Sequence, residues 1–388
     1  MSTNTLSHQE YLDLISSGII LPQCKIEFLR NENESVQSSI IKLPLDSSSL
    51  TCDITNGVRR SLSLILDNSN KDFLPSLDSL WIGFKFQLYL GYKDGQDREI
   101  WFPQGLFCVF NSDPSISSSF SDKKVTLACQ DKWSLLSIPI GHIYIIPSGS
   151  SVLSAIRSIL ELVGDKKAPI LQDLSDIPPF DLRWGESSTY GDVLKSLANL
   201  YSRECYYDTT GHFVFQEFMD ASIVETIYTF STDQVAYMGS NRILKYSQTF
   251  NHIYVIGASM NSGIAYTGEY INNDLTSNTR VQLIGDKPMP VITDSKISSN
   301  ELCNQRAKME GMKAKRVQEN ISINSISLLH LEVNKAIIIS DDSIGCYAKK
   351  YIIQQFQLSL DAKSPMTITG FLFSDSSDFE DRLSMTTI

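Results

Sequence analysis

The sequence predicts a β-rich α+β fold in which two antiparallel β portions flank a small α/β module. Three observations predict it. First, Tyr190 to Phe218 reads as a helix followed by a hairpin, the most legible stretch in the chain. Second, the sequence before it carries short strand-like runs with no helices between them, which favours an antiparallel barrel or sandwich. Third, strand-like sequence with polar turns resumes after Ser222.

At 388 residues the chain exceeds the size at which one hydrophobic core usually stops growing, so two or three domains are expected. With 42% hydrophobic and 20% charged residues it is of globular composition. The formal charge of -11 and pI of about 5.0 argue against general affinity for nucleic-acid phosphates, which rests on clustered Lys and Arg. The seven Cys, at 24, 52, 108, 129, 205, 303 and 346, include no CxxC or other zinc-ligand spacing, so free buried thiols and a reducing compartment are expected. The stretch Met1 to Gly18 lacks a basic leader region, and no window approaches the ~18–20 apolar residues of a membrane helix. Neither general secretion nor membrane insertion is therefore expected.

In chain order, Ser7-x-x-Glu10 forms a capping-box pattern before Tyr11, Leu12, Leu14 and Ile15, and a short helix should stop before Gly18. From Ile19 to about Ile140 the signal is β, in Lys25–Leu29, Ser61–Leu66, Phe84–Leu90, Ile100–Phe102, Gly105–Phe110 and Lys124–Gln130. The clearest is Phe84–Leu90, where Phe84, Phe86, Leu88 and Leu90 alternate with Lys85, Gln87 and Tyr89 as in a half-buried strand. Ser150 or Ser151 can cap a second helix with Val152, Ile156, Ile159 and Val163 on one stripe, ended by Gly164. The proline-rich Lys166–Pro179 reads as a loop.

In the central module Val193, Leu194, Leu197, Leu200 and Tyr201 fall at helical spacing, and Asp208-Thr-Thr-Gly211 supplies the turn between Cys205–Tyr207 and His212–Phe218. Ser222–Phe230 and Lys245–Gly257 read as strands, and Asn261–Ile297 as long loops or irregular strands. Ser298-x-x-Glu301 should cap a helix to about Val317, with Leu302, Met309 and Met312 on one side and Arg306, Lys308, Lys313, Lys315 and Arg316 on the other. Ile321–Leu331, Lys335–Ser340, Ala348–Leu360 and Met366–Phe373 complete the second β portion. The resulting division is 1–18 N-terminal helix, 19–145 first β domain, 146–240 α/β module, 241–373 second β domain with a helix near 299–317, and 374–388 flexible tail.

Chemistry is sparse. Histidines at 8, 142, 212, 252 and 330 are few, and HExxH, GxSxG, phosphate-binding glycine loops and calcium loops are all absent. Glu186-Ser187-Ser188 ahead of a helix offers the acid and serine of a lytic transglycosylase, but two residues carry little specificity and the stretch is better read as the lead-in to the Tyr190 helix. Cys205 with His252 could be drawn as thiol and base, yet Cys205 sits in an apolar hairpin pattern that favours the core. His212 and His252 read as ordinary packed or surface residues, and Trp81, Trp101, Trp133 and Trp184 as core anchors rather than a sugar-stacking platform. No catalytic, cofactor-binding or metal residue is assigned. The basic helix face could meet an acidic partner.

Four segments carry a resemblance: Asp53-Ile-Thr-Asn-Gly-Val-Arg-Arg-Ser-Leu-Ser-Leu64 with Leu80–Gly91; Trp101–Phe107 with Lys124–Trp133, the strand that ends in Asp131; Tyr190–Phe218; and Asn251–Gly257 with the 299–317 helix and Leu331–Asp341. In this order they resemble the central hub proteins of phage tail tips and baseplates, including those of contractile tails and related injection machines. The resemblance spans about Ile19 to Phe373 and rests on the layout, since no single segment is specific.

It implies two tube-like antiparallel β-barrel domains with the α/β insertion between them. It also implies a homotrimeric ring that joins a six-fold tail tube to a three-fold tip and lets DNA pass without specific binding. Implied partners are the tail tube or distal tail protein, a tip spike or tail lysin, and baseplate proteins. The implied location is the virion, after assembly in the host cytoplasm. Some relatives extend into a peptidoglycan hydrolase or needle, whereas here a lytic domain or spike is expected on a separate polypeptide. Two other function classes stand beside the hub: a tail-associated cell-wall hydrolase, and a carbohydrate-binding surface protein.

Overall fold

The computed structural model describes residues 7–17, 21–41, 43–45, 48–55, 57–75, 83–109, 113–119, 123–218, 224–245, 247, 249–259, 263–275, 277, 279–316, 319–360 and 365–372. Trp81, the 80–82 part of the first resemblance segment and the expected tail 374–388 lie outside the described residues. The fold is mostly antiparallel β with few helices. No helix among the described residues is long and apolar enough to cross a membrane.

Strands of both β portions belong to one 14-stranded sheet. Its main path begins at Tyr237–Leu244 and runs through Glu319–Ser325, Met366–Leu372 and Cys346–Ser359. It crosses into the first portion at Ser49–Asp53, then continues through Arg60–Asp67, Lys123–Asp131, Glu99–Val109, Phe84–Lys93 and Leu21–Leu29 to Val36–Ile41. The crossing is antiparallel, with Phe356 opposite Cys52 and Leu358 opposite Leu50. Among the described residues neither portion closes into a barrel, since the two terminal strands each pair on one side only. The apolar faces share a core in which Leu50, Leu64, Phe86, Phe107 and Leu127 join Ile323, Ile353, Phe356 and Ile368.

The N-terminal helix, His8–Ser17, is held by the expected box: the Ser7 N–H donates to Glu10 at 2.9 Å, and the Glu10 N–H donates to the Ser7 hydroxyl at 3.3 Å. It docks on both portions through Tyr11, whose hydroxyl accepts the Leu329 N–H at 2.9 Å while its ring stacks on Tyr92. Phe84–Lys93 has the expected alternation but differs in its second face. Lys85 and Gln87 are buried, because the central module covers the side that the sequence pattern left to solvent. Gln87 donates to the Thr209 carbonyl at 2.8 Å across that contact. Ile100–Phe102 and Gly105–Phe110, expected as two strands, form a single strand, Glu99–Val109, bulged near Gly105.

The module follows its sequence closely. Ser151 caps the Val152–Leu162 helix, and Gly164 ends it at φ 78°. Thr189 and Asp192 form a capping box on Tyr190–Leu200. Arg203–Tyr207 pairs with Phe213–Glu217 across a turn in which the Asp208 carboxylate accepts the Thr210 and His212 N–H groups at 2.9 and 2.8 Å. Part of the expected 166–179 loop is a short strand, Ile170–Leu171, parallel to Phe213–Glu217.

Two differences concern the chain after 241. His252–Ser259, Ala265–Ile271 and Ile292–Thr293 form their own sheet. Together with the Asn300–Arg316 helix they pack against the central module rather than the second β portion: Ile253, Val255, Cys303 and Ala307 share a core with Leu194, Leu197 and Phe215. That helix is capped by Ser299, whose hydroxyl accepts the Leu302 N–H at 3.1 Å, not by Ser298. Cys303, Ala307, Gly311 and Ala314 form a buried stripe; of the expected apolar side Met309 is buried, while Leu302 and Met312 are only half-buried. Small residues bring the helix down onto the sheet. A Cβ at Gly268 would lie 2.3 Å from the Cys303 backbone carbon, and one at Gly311 would meet the Tyr270 ring.

Gly268→Ala therefore sets a side chain against backbone that cannot step aside. It should cost about 1–3 kcal/mol, read as a lower urea midpoint with an unchanged slope.

Candidate functional site

The residues that could have formed a catalytic pair are engaged elsewhere or lack the surroundings such chemistry needs. Glu186 is exposed, whereas a sugar-cleaving acid needs an enclosing apolar pocket. The carbonyls of Glu186 and Ser188 accept the Gly141 and Ile140 N–H groups at 3.0 and 2.8 Å, fixing this stretch as the lead-in to the Thr189 cap. Cys205 is half-buried beside a cleft, and burial pushes its thiol up to about 12, the wrong direction for a nucleophile. His252 turns both ring nitrogens elsewhere, to Glu269 at 2.7 Å and Asp286 at 2.9 Å. His212 bonds the Ala168 carbonyl at 2.8 Å. His330 packs on His8, Tyr11 and Phe102, where burial, helped by repulsion from His8, pushes it down to about 4. Among the described residues no group of three or more His, Cys, Asp or Glu could hold a metal ion.

Trp133 and Trp184 are buried core anchors. Trp101 is half-buried and donates to Glu99 at 3.1 Å. The basic helix face is partly self-neutralised, since Arg306 and Lys313 both pair with Glu310 at 3.0 Å.

The most constructed polar site is one that sequence reasoning did not assign. Arg59 and Arg60 open the Arg60–Asp67 strand, and both donate backbone N–H groups to Asp131 Oδ2, at 2.9 and 3.0 Å, while Asp131 Oδ1 takes the Trp133 N–H at 3.0 Å. The Arg60 side chain is buried. It donates to the Tyr207 carbonyl at 3.0 Å and to both Glu332 oxygens at 2.6 Å. One guanidinium thus ties the first β portion, the module hairpin and the second β portion. Arg59 stacks on the Tyr206 ring at 3.3 Å and bonds Glu204 at 3.3 Å, and Asn334 donates to the same Glu204 oxygen at 3.3 Å. Arg59, Arg60 and Asp131 do lie in segments that carried the resemblance; their pairing was not legible from them.

Beside this junction is a cleft of about 460 Å³, lined among others by Arg59, Lys195, Arg203, Glu204, Lys313 and Asn334. It is a mixed apolar and cationic recess in which Arg203 is already spent on the Gln172 and Asp173 carbonyls, at 3.3 and 2.7 Å.

The two ends of the sheet path form another kind of site. Val36–Ile41 exposes Val36 and Ile41, with Leu43 beyond it. Tyr237–Leu244 exposes Met238, Ile243 and Leu244, with Val235 before it. Among the described residues each strand leaves one row of backbone groups without a neighbour in the sheet. Exposed edges bearing apolar side chains invite another chain.

A family model described as a domain of unknown function (DUF5048) matches residues 286–376. No curated protein matches the chain. Among solved structures, a tail protein from Neisseria meningitidis MC58 is similar at a TM-score of 0.63 and 12% identity, covering 92% of this chain and 98% of that one. The 43 kDa tail protein of prophage MuSo2 from Shewanella oneidensis is similar at a TM-score of 0.58 and 12% identity, covering 91% and 99%. Prophage tail protein gp18 from Listeria monocytogenes EGD-e is similar at 0.55 and 11%, covering 94% and 98%. At these identities the likeness is one of fold, and it runs nearly the whole length of each chain.

Arg60→Ala strands Glu332 and the Tyr207 carbonyl and should destabilise the chain by ~3–5 kcal/mol, measured by equilibrium unfolding. The His252 cluster sets a pH dependence. Partial burial opposes its charge, but the hydrogen bonds to Glu269 and Asp286 outweigh that and raise the imidazole pKa. A raised folded pKa gives stability that is complete below the unfolded value, about 6.5, and is lost as pH rises through the folded value. His252→Gln should therefore remove part of the fall in melting temperature between about pH 6 and pH 8.5.

Proposed function

We infer that this chain, which has the fold of phage tail proteins, is a structural component of a phage tail: a hub at the tail tip or baseplate. In this reading three copies form a ring that joins the six-fold tube to a three-fold tip and leaves a passage for DNA. The observation that carries it is the sheet path crossing both β portions and ending in two strands that, among the described residues, pair on one side only, on a fold shared end to end with tail proteins. Each copy would supply two β units of the tube kind, so three copies supply the six that a six-fold tube requires. The Val36–Ile41 edge of one copy would meet the Tyr237–Leu244 edge of the next. Such a contact is heterologous, and it closes into a ring when the rotation between copies divides a full turn.

The acidity of the chain suits this role. A formal charge of -11 per copy repels phosphates, so a wall drawn from such a surface would let DNA slide rather than stick. The division into a first β domain, module and second β domain is retained here as a division of roles: the two β portions build the ring, and the module with its associated 252–316 segment covers one side of it.

Light scattering on the purified chain should give a mass near three times 43.5 kDa, and negative-stain averages should show a central hole. Ile41→Lys with Ile243→Lys should return the protein to a folded monomer, with the circular dichroism of the wild type and an unfolding midpoint that no longer depends on protein concentration. A wild-type monomer at every concentration, or a trimer indifferent to both edge changes, would overturn the edge-to-edge ring. Clearing of purified cell wall in a zymogram would instead favour a hydrolase.

A further inference from the structure

A second buried polar cluster lies between the first β portion and the module, and its chemistry goes beyond packing. Lys132 follows the Lys123–Asp131 strand directly, and its Nζ meets three acceptors: Glu34 Oε2 at 3.0 Å, the Gly211 carbonyl at 3.1 Å, and Asp165 Oδ1. The side chains of Glu34, Lys132 and Asp165 have no solvent exposure at all. The other Glu34 oxygen takes Lys85 at 2.7 Å, and the other Asp165 oxygen takes the Tyr207 hydroxyl at 2.8 Å. Apolar Leu29, Leu106, Cys108 and Leu135 form a cluster on this side of the sheet, with Val163 packed against it.

Glu34 is delivered by a strained turn. It has φ 54°, a left-handed conformation uncommon for a residue with a side chain, in the tight connection where its N–H bonds the Arg30 carbonyl at 2.8 Å. Strain of this kind is retained where the surroundings fix a side chain for a purpose.

We propose that Lys132 and Asp165 become joined by an intramolecular amide, with Glu34 carrying the protons. An amine held against a carboxyl in a closed, water-poor site is in the arrangement for direct condensation. Glu34 takes a proton from the Lys132 ammonium. The freed amine, turning about its Cε–Nζ bond, attacks Asp165 Cγ. The Tyr207 hydroxyl, donating to Oδ2, steadies the negative charge that develops on that oxygen. Two protons pass in turn from Nζ through Glu34 to Oδ1. The Cγ–Oδ1 bond breaks as the C–N bond is completed, one water leaves, and Glu34 ends as the carboxylate it began. Ammonium plus carboxylate give amide plus water, so no charge, oxidant or external reagent is needed.

The site gains from the reaction. Before it, two cations and two carboxylates are kept from water together, which carries a desolvation cost. After it, the Lys132 and Asp165 charges are gone and Glu34 remains paired with Lys85. The bond would span 33 residues and pin the segment after the Val152–Leu162 helix to the end of a central strand. This inference stands apart from the ring and would hold for a monomer.

The test is the intact mass of the purified, denatured chain. The wild type should be lighter than its sequence by one water, and a protease digest should release a branched peptide joining the Lys132 and Asp165 segments. Lys132→Ala and Asp165→Ala should restore the full mass. Glu34→Gln, close in shape but unable to take the proton, should leave most chains unlinked. A wild type at full sequence mass overturns the proposal, as does a missing water without the branched peptide. An unchanged branched peptide in Glu34→Gln removes Glu34 from the mechanism.

Discussion

One buried guanidinium ties together the first β portion, the module and the second β portion. Arg60 is fully enclosed, and an ion in that position is tolerated only when its hydrogen bonds are supplied by fixed partners. Here they come from two places at once, the module hairpin through the Tyr207 carbonyl and the second β portion through Glu332, while the Arg60 backbone N–H is held separately by Asp131 on the neighbouring strand. Arginine suits this better than lysine because its planar fork can hold a carboxylate with both oxygens and still reach a carbonyl. Even the bulge at Gly105 serves the same end, since a Cβ there would lie 2.8 Å from the Arg60 side chain.

That constraint explains why a chain long enough for several domains has portions so closely joined. A sheet runs across both β portions, the N-terminal helix docks on each, and two polar clusters pin the module to the first of them. Swinging the module or the second β portion away from the first would leave Arg60 without Tyr207 or Glu332, or Lys132 without Asp165 and Gly211. The module therefore moves with the sheet.

Much of the local fold was legible in the sequence. The Ser7–Glu10 box, the Ser151 cap, the Asp208–Gly211 turn and the helical stripe of Tyr190–Leu200 are set by neighbours in sequence, and each formed as read. What failed to show was set by distant partners. Val36–Ile41 and Ser115–Ser118 are exposed, serine-bearing strands without an apolar alternation to mark them. Lys85 and Gln87 looked solvent-facing because nothing local shows that a module will cover them. The Cys303–Ala307–Gly311–Ala314 stripe was passed over for bulkier Leu302 and Met312, since close helix–sheet approach selects small residues that carry no hydrophobic signal. The candidate site fared worse for the same reason: Arg60 and Glu332 are 272 positions apart, and no spacing rule reaches that far.

The distribution of polar groups separates the interior from the sheet ends. In this chain the charges that are most costly to bury are answered from within: Arg60 by Glu332, Lys132 by Glu34 and Asp165, Arg242 by Glu319 at 2.8 Å. Among the described residues the edge strands at the ends of the sheet path leave backbone groups open, with apolar side chains beside them. Unfilled backbone is answered by another strand rather than by a small molecule. Held in place by these internal pairs, the edge strands offer a partner backbone groups flanked by apolar side chains.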